Sequence, residues 1–422
     1  MNFIAVLILF TLLTAYLLEL TADILNIRRL GKEMPPEFSD VYDPQRYRQS
    51  GEYLRVNTCF GQIQAAFDLI ILLLFWFGKG FALLDQWLRS FGWGPVMTGV
   101  AYMGILLLCK SMISLPFSAY STFVTEEKFG FNKTDPKTFV TDRIKGLFLF
   151  LVLGIPLLAG ILAFFEYTGS AAWLWCWISV TLFMLFMQYI APTWIMPLFN
   201  KFEPLEEGKR KEMIMDYARK VSYPLQALFV MDGSRRSGKS NAFFTGFGKN
   251  KRIALFDTLI AQHSEEELLA ILAHEIGHYK KKHILQGMII GIVHSGFVFF
   301  LLSFFISCPM LFDAFYMEKP SVYAGIIFFG MLFSPLDFFL GILLQMRSRK
   351  NEYEADRFAV QSTGNPRAMI RALKKLAAHN LSNLLPHPFY VFLHYSHPPV
   401  GERLRAIKEL SAKGSAHADC LS

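Results

Sequence analysis

The chain has 422 residues, of which 53% are hydrophobic and only 18% are charged, so it is too apolar for an ordinary soluble protein and predicts several membrane spans. Its formal net charge is +8, but lysine and arginine fall in short blocks between apolar runs. Such blocks are typical of residues that set the orientation of membrane spans, and they argue against nucleic-acid binding. The five cysteines show no paired spacing, so neither a disulfide framework nor a thiolate zinc site is expected.

Seven apolar runs are long enough to cross a bilayer as helices of roughly 20 residues each. The first lacks a basic leading segment and a small-residue cleavage site, so it is predicted to be a retained span and not a signal peptide. The second is the weakest, because it contains Gln62, Gln64 and Asp68, and continuation past Lys79 is an open alternative. The seven runs cover residues 3–20, 60–77, 96–116, 146–165, 172–195, 284–308 and 323–345.

Basic residues are concentrated in alternate loops between these runs. Six lie between spans one and two and five lie between spans three and four, whereas the alternate loops, after spans two, four and six, are nearly bare. The positive-inside rule therefore predicts a multi-pass protein with its N-terminus outside and its C-terminus in the cytoplasm. The membrane is expected to be the inner membrane in a bacterium or the endoplasmic reticulum in a eukaryote.

The chain divides on this basis into four parts, and two of them are polar. Residues 1–199 hold spans one to five, and residues 284–345 hold spans six and seven. The polar segments are residues 200–283 and 346–422, and both are predicted to lie on the cytoplasmic side.

The first polar segment is predicted to begin with a helix near 206–221 and to continue with three short strands and a second helix. Gly233 to Ser240 match the phosphate-loop pattern G-x-x-x-x-G-K-S letter for letter. A phosphate loop must open a helix, whereas the residues that follow, Asn241-Ala-Phe-Phe-Thr-Gly-Phe-Gly, are typical of strand and turn. Nucleotide binding is therefore not expected. The strands are predicted near 226–231, 242–247 and 252–257.

The second helix of this segment carries the pattern H-E-x-x-H. Ser264 followed by Glu267 is a capping-box start, and an apolar stripe at helical spacing comes after it. On a helix, His274 and His278 lie on one face, one turn apart, where both imidazoles can reach a single zinc ion. Glu275 lies beside them, placed to take a proton from a water on the metal. The alternative is a buried amphipathic helix with two incidental histidines.

The second polar segment is predicted to continue the last span as a helix to about residue 362. Catalytic zinc is normally held by three protein ligands, and Glu352 is the best candidate for the third. Asp356, one turn on, is placed to accept the free N–H of a ligating histidine and fix its tautomer. Glu354 competes for the ligand role, but it lies about 200° round the helix from Glu352, so only one of them can face the metal. Further helices are predicted near 366–380 and 399–413.

Several motifs of the chain occur in a combination that is more specific than any of them alone. They are His274-Glu275-Ile276-Gly277-His278, Asn351-Glu352-Tyr353-Glu354-Ala355-Asp356, Asn241-Ala242-Phe243-Phe244, Gly248-Lys249-Asn250-Lys251-Arg252-Ile253, and Ser396-His397-Pro398-Pro399 with Glu402-Arg403. In this combination, and in the placing of a polar insert between spans five and six, the chain resembles the type I family of integral-membrane CAAX prenyl endopeptidases. The similarity runs over nearly the whole sequence.

The resemblance implies a fold and a metal centre. The fold would be an all-α membrane protein whose seven transmembrane helices form a helical barrel around a water-filled intramembrane chamber, with a zinc metalloprotease domain and a small β-element on the cytoplasmic side. One zinc ion per chain would be held by His274, His278 and Glu352, and Glu275 would be the general base.

The resemblance also implies roles for residues outside the metal motif. His397 would donate a hydrogen bond to the oxyanion, and the prolines after it would hold its backbone extended and stiff. A peptide adding as a strand beside Asn241, Ala242 and Phe243 would gain backbone hydrogen bonds with little sequence demand. The expected partners are the lipid bilayer and a peptide or protein substrate, prenylated ones included.

The expected activity is zinc-dependent hydrolysis of peptide bonds, and the resemblance implies removal of the C-terminal tripeptide of prenylated CAAX proteins. One alternative is a quality-control protease for membrane proteins that has no prenyl requirement. Another is a transporter or scaffold with a vestigial metal site, which the intact Glu275 argues against, as does the lack of two related halves with broken helices. His294 and Asp337, polar residues inside predicted spans, suit either a proton path or a wet chamber.

Overall fold

The structure, a computed structural model, describes residues 1–245 and 251–419, and it describes side chains there except at 243–245 and 414–419. The last two residues of the strand predicted at 242–247, the stretch Gly248-Lys249-Asn250 and the side chain of Phe243 lie outside this description. Within it, seven helical segments are long and apolar enough to cross a membrane, which confirms the seven predicted spans. They cover Phe3–Ile27, Pro44–Phe77, Pro95–Glu126, Pro136–Tyr167, Gly169–Phe199, His283–Phe305 and Val322–Thr363.

The part of the chain that holds the first five spans forms eight α-helices, seven of which belong to the spans, while the short helix Gly80–Arg89 lies between spans two and three. Where spans begin, the sequence supplies caps: Asp43 and Asp135 accept hydrogen bonds from the first helical turn, and each is followed by proline at the first helical position. The helices are α1 (Phe3–Ile27), α2 (Pro44–Phe77), α3 (Gly80–Arg89), α4 (Pro95–Tyr120), α5 (Pro136–Leu149), α6 (Ile155–Tyr167), α7 (Ala172–Ile190) and α8 (Met196–Phe199). Turns of π-helix extend α4, join α5 to α6 and join α7 to α8, at Ser121–Glu126, Phe150–Gly154 and Ala191–Ile195.

The second span does not continue past Lys79. The helix ends at Phe77, and Lys79 adopts a left-handed conformation with φ of 58° that breaks the helical path. The chain then turns into α3, a short helix with one buried face. The open alternative at this point is therefore resolved in favour of a separate helix.

The polar segment between spans five and six forms a mixed four-stranded sheet with helices around it. Its elements are β1 (Phe202–Pro204), α9 (Lys209–Lys220), β2 (Leu225–Met231), β3 (Ala242–Thr245), β4 (Lys251–Phe256), α10 (Asp257–Gln262) and α11 (Glu265–Lys280). The strand order is β1-β2-β4-β3, with β2 and β4 parallel and the two outer strands antiparallel to their neighbours. The three predicted strands are confirmed, whereas β1, only three residues long, has no alternating pattern that could predict it.

The rest of the chain is helical. Its elements are α12 (His283–Phe305), α13 (Pro309–Asp313), α14 (Val322–Thr363), α15 (Pro366–His379), α16 (Pro388–His394) and α17 (Val400–Asp419). The helix α14 is continuous for 42 residues, so the last span does run on into the second polar segment as predicted. It ends at Gly364, which takes the left-handed conformation favoured at a helix C-terminus.

The spans form a closed ring. Successive spans are packed together, with α2 and α4 meeting through the rings of Phe67 and Phe117, and α14 of the last span returns to contact α1 of the first. Polar pairs join several neighbours within the ring: the Lys110 amine is 2.6 Å from Asp68 between α4 and α2, and His294 Nε2 is 3.2 Å from Asp337 between α12 and α14. Charged groups inside spans are costly unless they are paired or face water, so this placing suits a wet interior.

Packed cores lie at the two ends of the ring. One end, called here the aromatic cap, is closed by α3, α13 and the adjoining span ends around Trp76, Phe81, Tyr102, Phe315 and Phe328. The other end, called here the site end, is a core formed by the sheet, α9, α11, α15 and α17. Between them, only 6–17% of residues in the most apolar stretch of each span are buried, so the middle of the ring is not filled by a core. This arrangement is a helical barrel around an intramembrane chamber.

Candidate active site

The helix α11 is fixed at its start and along one face by the residues that predicted it. The Ser264 hydroxyl accepts a hydrogen bond from the Glu267 N–H and the Ser264 N–H donates one to the Glu267 carboxylate, which completes the capping box. Leu268, Leu272 and Ile276 are fully buried in the core of the site end. The helix is therefore anchored on the side that carries His274, which is itself buried.

Two histidines and one carboxylate meet where α11 crosses α14. His274 Nε2 and His278 Nε2 are 3.2 Å apart, and each lies 3.3 Å from an oxygen of Glu352. The three candidate ligand atoms all lie within 4.8 Å of one another, so one metal ion could contact all three. The structure places Glu352 in this group and places Glu354 on another side of α14, with its carboxylate 3.3 Å from His283 Nε2.

Gly277 allows the two helices to approach closely enough for this meeting. A Cβ at this position would lie 3.1 Å from Ala355 Cα, 3.1 Å from the Ala355 carbonyl oxygen and 3.3 Å from Phe358 Cβ. Any larger residue would push α14 away from α11. The glycine of the His-Glu-Ile-Gly-His motif thus allows Glu352 to reach the two histidines.

The residues in this group fit a metal ion chemically. Two imidazoles and one carboxylate are a common ligand set for catalytic zinc, which leaves one position open for water or substrate. Glu352 is 3% exposed, and its Oε2 atom has His274 Nε2 and Arg403 Nη1 at 3.3 Å each, but neither contact has the geometry of a full hydrogen bond. A buried carboxylate oxygen whose polar neighbours are poorly aligned is costly, and a metal ion at this point would satisfy it.

A buried ion pair supports His274 from behind. His274 Nδ1 is 2.8 Å from Asp356 Oδ1, and Arg403 from α17 contacts both Asp356 oxygens, at 2.6 Å and 2.8 Å. Arg403 Nη1 also lies 3.3 Å from Glu352 Oε2. Because Asp356 accepts the proton on Nδ1, the Nε2 atom of His274 is free to face the Glu352 side. The predicted contact between Asp356 and a histidine of the motif is present.

These contacts set the proton affinity of His274. Burial alone lowers the pKa of His274, but its hydrogen bonds to Asp356 and Glu352 outweigh burial and raise the pKa to about 9. Without a metal, the site thus holds a proton between His274 and the two carboxylates. Metal binding competes with such a proton, so the affinity of the site for a metal is expected to fall as the pH is lowered.

Glu275 is the acidic residue that faces the open side of the site. It lines a cavity of about 1060 Å³ together with His278, and its carboxylate makes no hydrogen bond or ion pair with the described residues. Burial raises the pKa of the Glu275 carboxyl, although the charges of His274 and His278 act in the opposite direction. A carboxylate that is unpaired and more basic than usual is suited to accepting a proton.

His397 is brought to the same group from the loop before α17. Its Nε2 atom lies 3.3 Å from Glu352 Oε1, and its side chain is 63% exposed. Ser396 Oγ lies 2.9 Å from His397 Nδ1, which restrains the ring. A residue 45 positions beyond Glu352 in sequence therefore stands at the open side of the group, with its Nε2 atom beside the Glu352 carboxylate.

The candidate substrate strand is only partly at the cavity. Ala242 lines it, whereas Asn241 is exposed and its side-chain oxygen accepts a hydrogen bond from the Ala242 N–H. β3 pairs with β4 on one side and is an outer strand of the sheet, so its other edge is available to an extended peptide.

The segment that matches the phosphate-loop pattern ties the sheet to the spans. Arg236 forms a bidentate ion pair with Asp142 at 2.8 Å and 2.9 Å. The Lys239 amine lies 2.6 Å from the Tyr53 hydroxyl and 3.1 Å from Glu126. The residues that follow form β3 and not a helix, as the sequence indicated.

Three contributors to this site were not singled out from the sequence. Arg403 was noted only as part of the resemblance, because nothing in a sequence shows that one arginine of a polar helix is buried. His283 carried no signal except its place five residues after His278. Gly277 could have been singled out, since a glycine inside a strongly predicted helix often marks a close contact.

A helical membrane barrel with an H-E-x-x-H helix and a facing carboxylate defines a membrane-embedded metallopeptidase. A family model described as CAAX prenyl protease N-terminal, five membrane helices, matches residues 23–201, and one described as peptidase family M48 matches residues 204–411. The chain belongs to peptidase family M48.

Curated relatives and a solved structure agree with this assignment. The chain is 36% identical to CAAX prenyl protease 1 of Saccharomyces cerevisiae, over 90% of both chains. It is 31% identical to the CAAX prenyl protease 1 homolog of Homo sapiens, over 91% of this chain and 90% of the human one. The crystal structure of S. mikatae Ste24p superposes with a TM-score of 0.91 at 32% identity, covering 96% of this chain and 99% of that one. The protein is accordingly a membrane metalloendopeptidase.

Proposed function

We propose that this protein uses one zinc ion to hydrolyse a peptide bond near the C-terminus of prenylated CAAX proteins. The observation that carries the proposal is the buried group of His274, His278 and Glu352, whose ligand atoms lie within 4.8 Å of one another beside the unpaired carboxylate of Glu275. The names of the relatives, which are CAAX prenyl proteases, support this choice of substrate.

The metal and Glu275 would divide the chemistry between them. Zinc held by these three ligands would supply a Lewis acid and would lower the pKa of a water far below its value in bulk solvent, towards about 7. Glu275 accepts a proton from the attacking water and later returns it to the leaving amine, a role for which its raised pKa is suited. Asp356 and Arg403 keep His274 in the tautomer that leaves Nε2 free.

His397 would stabilise the charge that develops on the carbonyl oxygen. Its Nε2 lies 3.3 Å from Glu352 Oε1, so the ring stands beside the metal group without being buried in it. An N–H donor at this position can bond to an oxyanion that forms only as the reaction proceeds. Asn241 would line the site, as a neighbour of the cavity residue Ala242.

The peptide would bind along the outer edge of β3. An added strand gains backbone hydrogen bonds that do not depend on its side chains, and pockets for alternate side chains give specificity. Ala242 lines the cavity, and Phe243 follows it in the strand. A peptide bound in this way would reach the cavity that Ala242 shares with Glu275.

The cavity offers a surface for a prenyl chain. It runs from Glu275 and His278 along α12 and α14, where five apolar side chains lie among polar ones such as His294, Arg347 and Asn351. The apolar side chains are Ile284, Leu285, Met288, Ile290 and Leu344. An isoprenoid is a hydrocarbon, so its transfer from water to such a lining is favourable. The proximity of this apolar wall to the proposed base supports a lipid-modified substrate over an unmodified one.

Hydrolysis of matched peptides tests the proposal. A farnesylated CAAX peptide and its unmodified counterpart are incubated with the purified protein, and the released tripeptide is measured. We expect release from the farnesylated peptide, its loss with a chelator and its recovery with added zinc. Equal cleavage of both peptides would favour the quality-control alternative, and no cleavage of either by zinc-loaded protein would contradict the proposal.

We also propose that the N-terminus faces outward and that both polar segments face the cytoplasm, in the endoplasmic reticulum if the source is a eukaryote. The proposal rests on the basic residues in the first and third loops. A reporter fused after Ser422 is expected to behave as cytoplasmic, and one inserted near Phe315 as external. A cytoplasmic signal near Phe315 would contradict this orientation.

A further inference from the structure

His283 lies between the second histidine of the motif and a carboxylate of α14. Its Nδ1 atom is 3.0 Å from His278 Nδ1, and its Nε2 atom is 3.3 Å from Glu354 Oε2. The His283 side chain is 5% exposed, whereas Glu354 is 41% exposed. A line of side chains thus runs from solvent, through a buried ring, to His278.

The direction of each hydrogen bond in this line follows from the proposed metal centre. If His278 binds the metal through Nε2, its proton lies on Nδ1. That N–H then donates to His283 Nδ1, which must be unprotonated, so the proton of His283 lies on Nε2. The Nε2–H of His283 in turn donates to the Glu354 carboxylate. With both rings neutral, no other placing of their protons satisfies the contacts of His278 with the metal, of His278 with His283 and of His283 with Glu354.

The two histidines of the motif are therefore supported in parallel ways. His274 Nδ1 meets the carboxylate of Asp356 directly, at 2.8 Å. His278 Nδ1 meets the carboxylate of Glu354 through the ring of His283. Both carboxylates belong to α14, the helix that also carries Glu352. A single helix would thus supply one ligand and orient the other two.

We propose that His283 and Glu354 form a relay that positions His278 and increases its basicity as a metal ligand, an inference that rests on the proposed metal centre. Hydrogen bonds from a ligating histidine to such partners fix its tautomer and ring orientation. His283 is also the first residue of α12, so the relay connects the start of the sixth span to the metal. His283 and Glu354 are positioning residues, because both would act on the metal only through His278.

The test measures how tightly the full-length protein holds zinc. Zinc release to a chromogenic chelator is followed for the wild type, His283→Leu and Glu354→Ala, together with the visible spectrum of the cobalt-loaded proteins. We expect both variants to release zinc about 10- to 100-fold more readily, with a changed cobalt spectrum. His283→Gln keeps a hydrogen-bond acceptor and a donor and should recover part of the loss. Glu354 is partly exposed, so its variant is expected to fold.

A matched pair on the same two helices provides the control. His294 of α12 and Asp337 of α14 are also in contact, at 3.2 Å, but neither residue touches a proposed ligand. His294→Leu and Asp337→Ala should leave zinc release and the cobalt spectrum as in the wild type. Equal zinc release in His283→Leu and the wild type would overturn the relay, and so would a loss of equal size in His294→Leu.

A further variant separates failure of the relay from failure of the metal centre. His278→Ala removes a proposed ligand and should abolish stoichiometric zinc binding. Retention of zinc by His278→Ala would overturn the metal centre and the relay with it. Loss of zinc in His278→Ala together with unchanged release in both His283→Leu and Glu354→Ala would overturn the relay alone.

Discussion

The two packed ends of the barrel differ in the side chains that they bury: aromatic side chains fill one end, and charged side chains are buried at the other. In the aromatic cap, Trp76 stacks on Phe315 at 4.7 Å between ring centroids, and Phe315 stacks on Phe328 at 3.8 Å. At the site end, Arg403, Asp356, Glu352 and His274 are all less than 10% exposed. Burial of apolar side chains stabilises a fold without leaving polar groups unsatisfied. Burial of charged side chains costs free energy unless every charge is paired.

The aromatic cap therefore contributes mainly to stability, whereas the site end carries the groups proposed for the reaction. The aromatic cap closes the barrel on the side away from the proposed site, and its buried polar groups are few: Asp85, for example, is held by Tyr323 and Arg89. The site end keeps a buried group of charges next to an open cavity, where they can bind a metal and move a proton. Substitutions at the two ends should therefore affect different measurements.

The largest effect is expected for Glu275→Gln at the site end. Glutamine keeps the size of the side chain but cannot accept the proton, so turnover of the farnesylated peptide should fall by about 10² to 10⁴-fold. Zinc content and thermal stability should stay near the wild-type values, because Glu275 is not among the proposed ligands. Peptide release and elemental analysis on the same preparation measure both. Full activity in this variant would show that the base lies elsewhere.

A somewhat smaller effect on turnover is expected for His397→Ala. If His397 bonds only to the developing oxyanion, kcat should fall by roughly a hundredfold or more, while KM changes little. Its side chain is largely exposed, so neither folding nor zinc content should change. A parallel loss of zinc would instead identify His397 as part of the ligand set, and an unchanged rate would leave it without a chemical role.

In the aromatic cap the expected pattern is reversed. Phe328 is fully buried between Phe312, Phe315 and Phe81, so Phe328→Ala should lower the stability by about 3 kcal/mol. The melting temperature in detergent should fall, while zinc content and turnover per folded molecule stay unchanged. A selective loss of turnover at full stability would mean that the two ends are coupled through the barrel.

The sequence predicted the fold well because its signals are local and repeated. A span is a long apolar run, and α11 has a cap, an acidic first turn and an apolar stripe, all within 16 residues. The break after Phe77 was left open because no residue there forbids a helix, and the left-handed conformation of Lys79 depends on tertiary packing. Strand β1 was missed because three residues cannot show a period.

The site was less predictable, since its contacts join distant parts of the chain. Spacing alone indicated that Glu352 and Glu354 cannot face one metal together, and the structure places Glu352 beside the histidines. Spacing could not indicate that His283 meets His278, because that contact depends on the turn between α11 and α12. The burial of Arg403 beside Asp356 depends likewise on how α17 packs against α14.

The last prediction concerns Gly277, whose missing side chain sets the distance between the two helices of the site. In Gly277→Ala, the new Cβ would lie 3.1 Å from backbone atoms of Ala355, so α14 must shift by a few tenths of an ångström. Overpacking of this kind costs about 1–3 kcal/mol. Glu352 should then meet the histidines less well, and zinc should be released more readily with a modest loss of turnover. Gly330→Ala is the control, because that glycine lies on α14, the helix that Gly277 faces, and has nothing within 4 Å of an added Cβ. Alanine is the better helix former by about 1 kcal/mol, so Gly330→Ala should be neutral or slightly stabilising. If the two variants hold zinc equally well, the close approach at Gly277 has no part in forming the site.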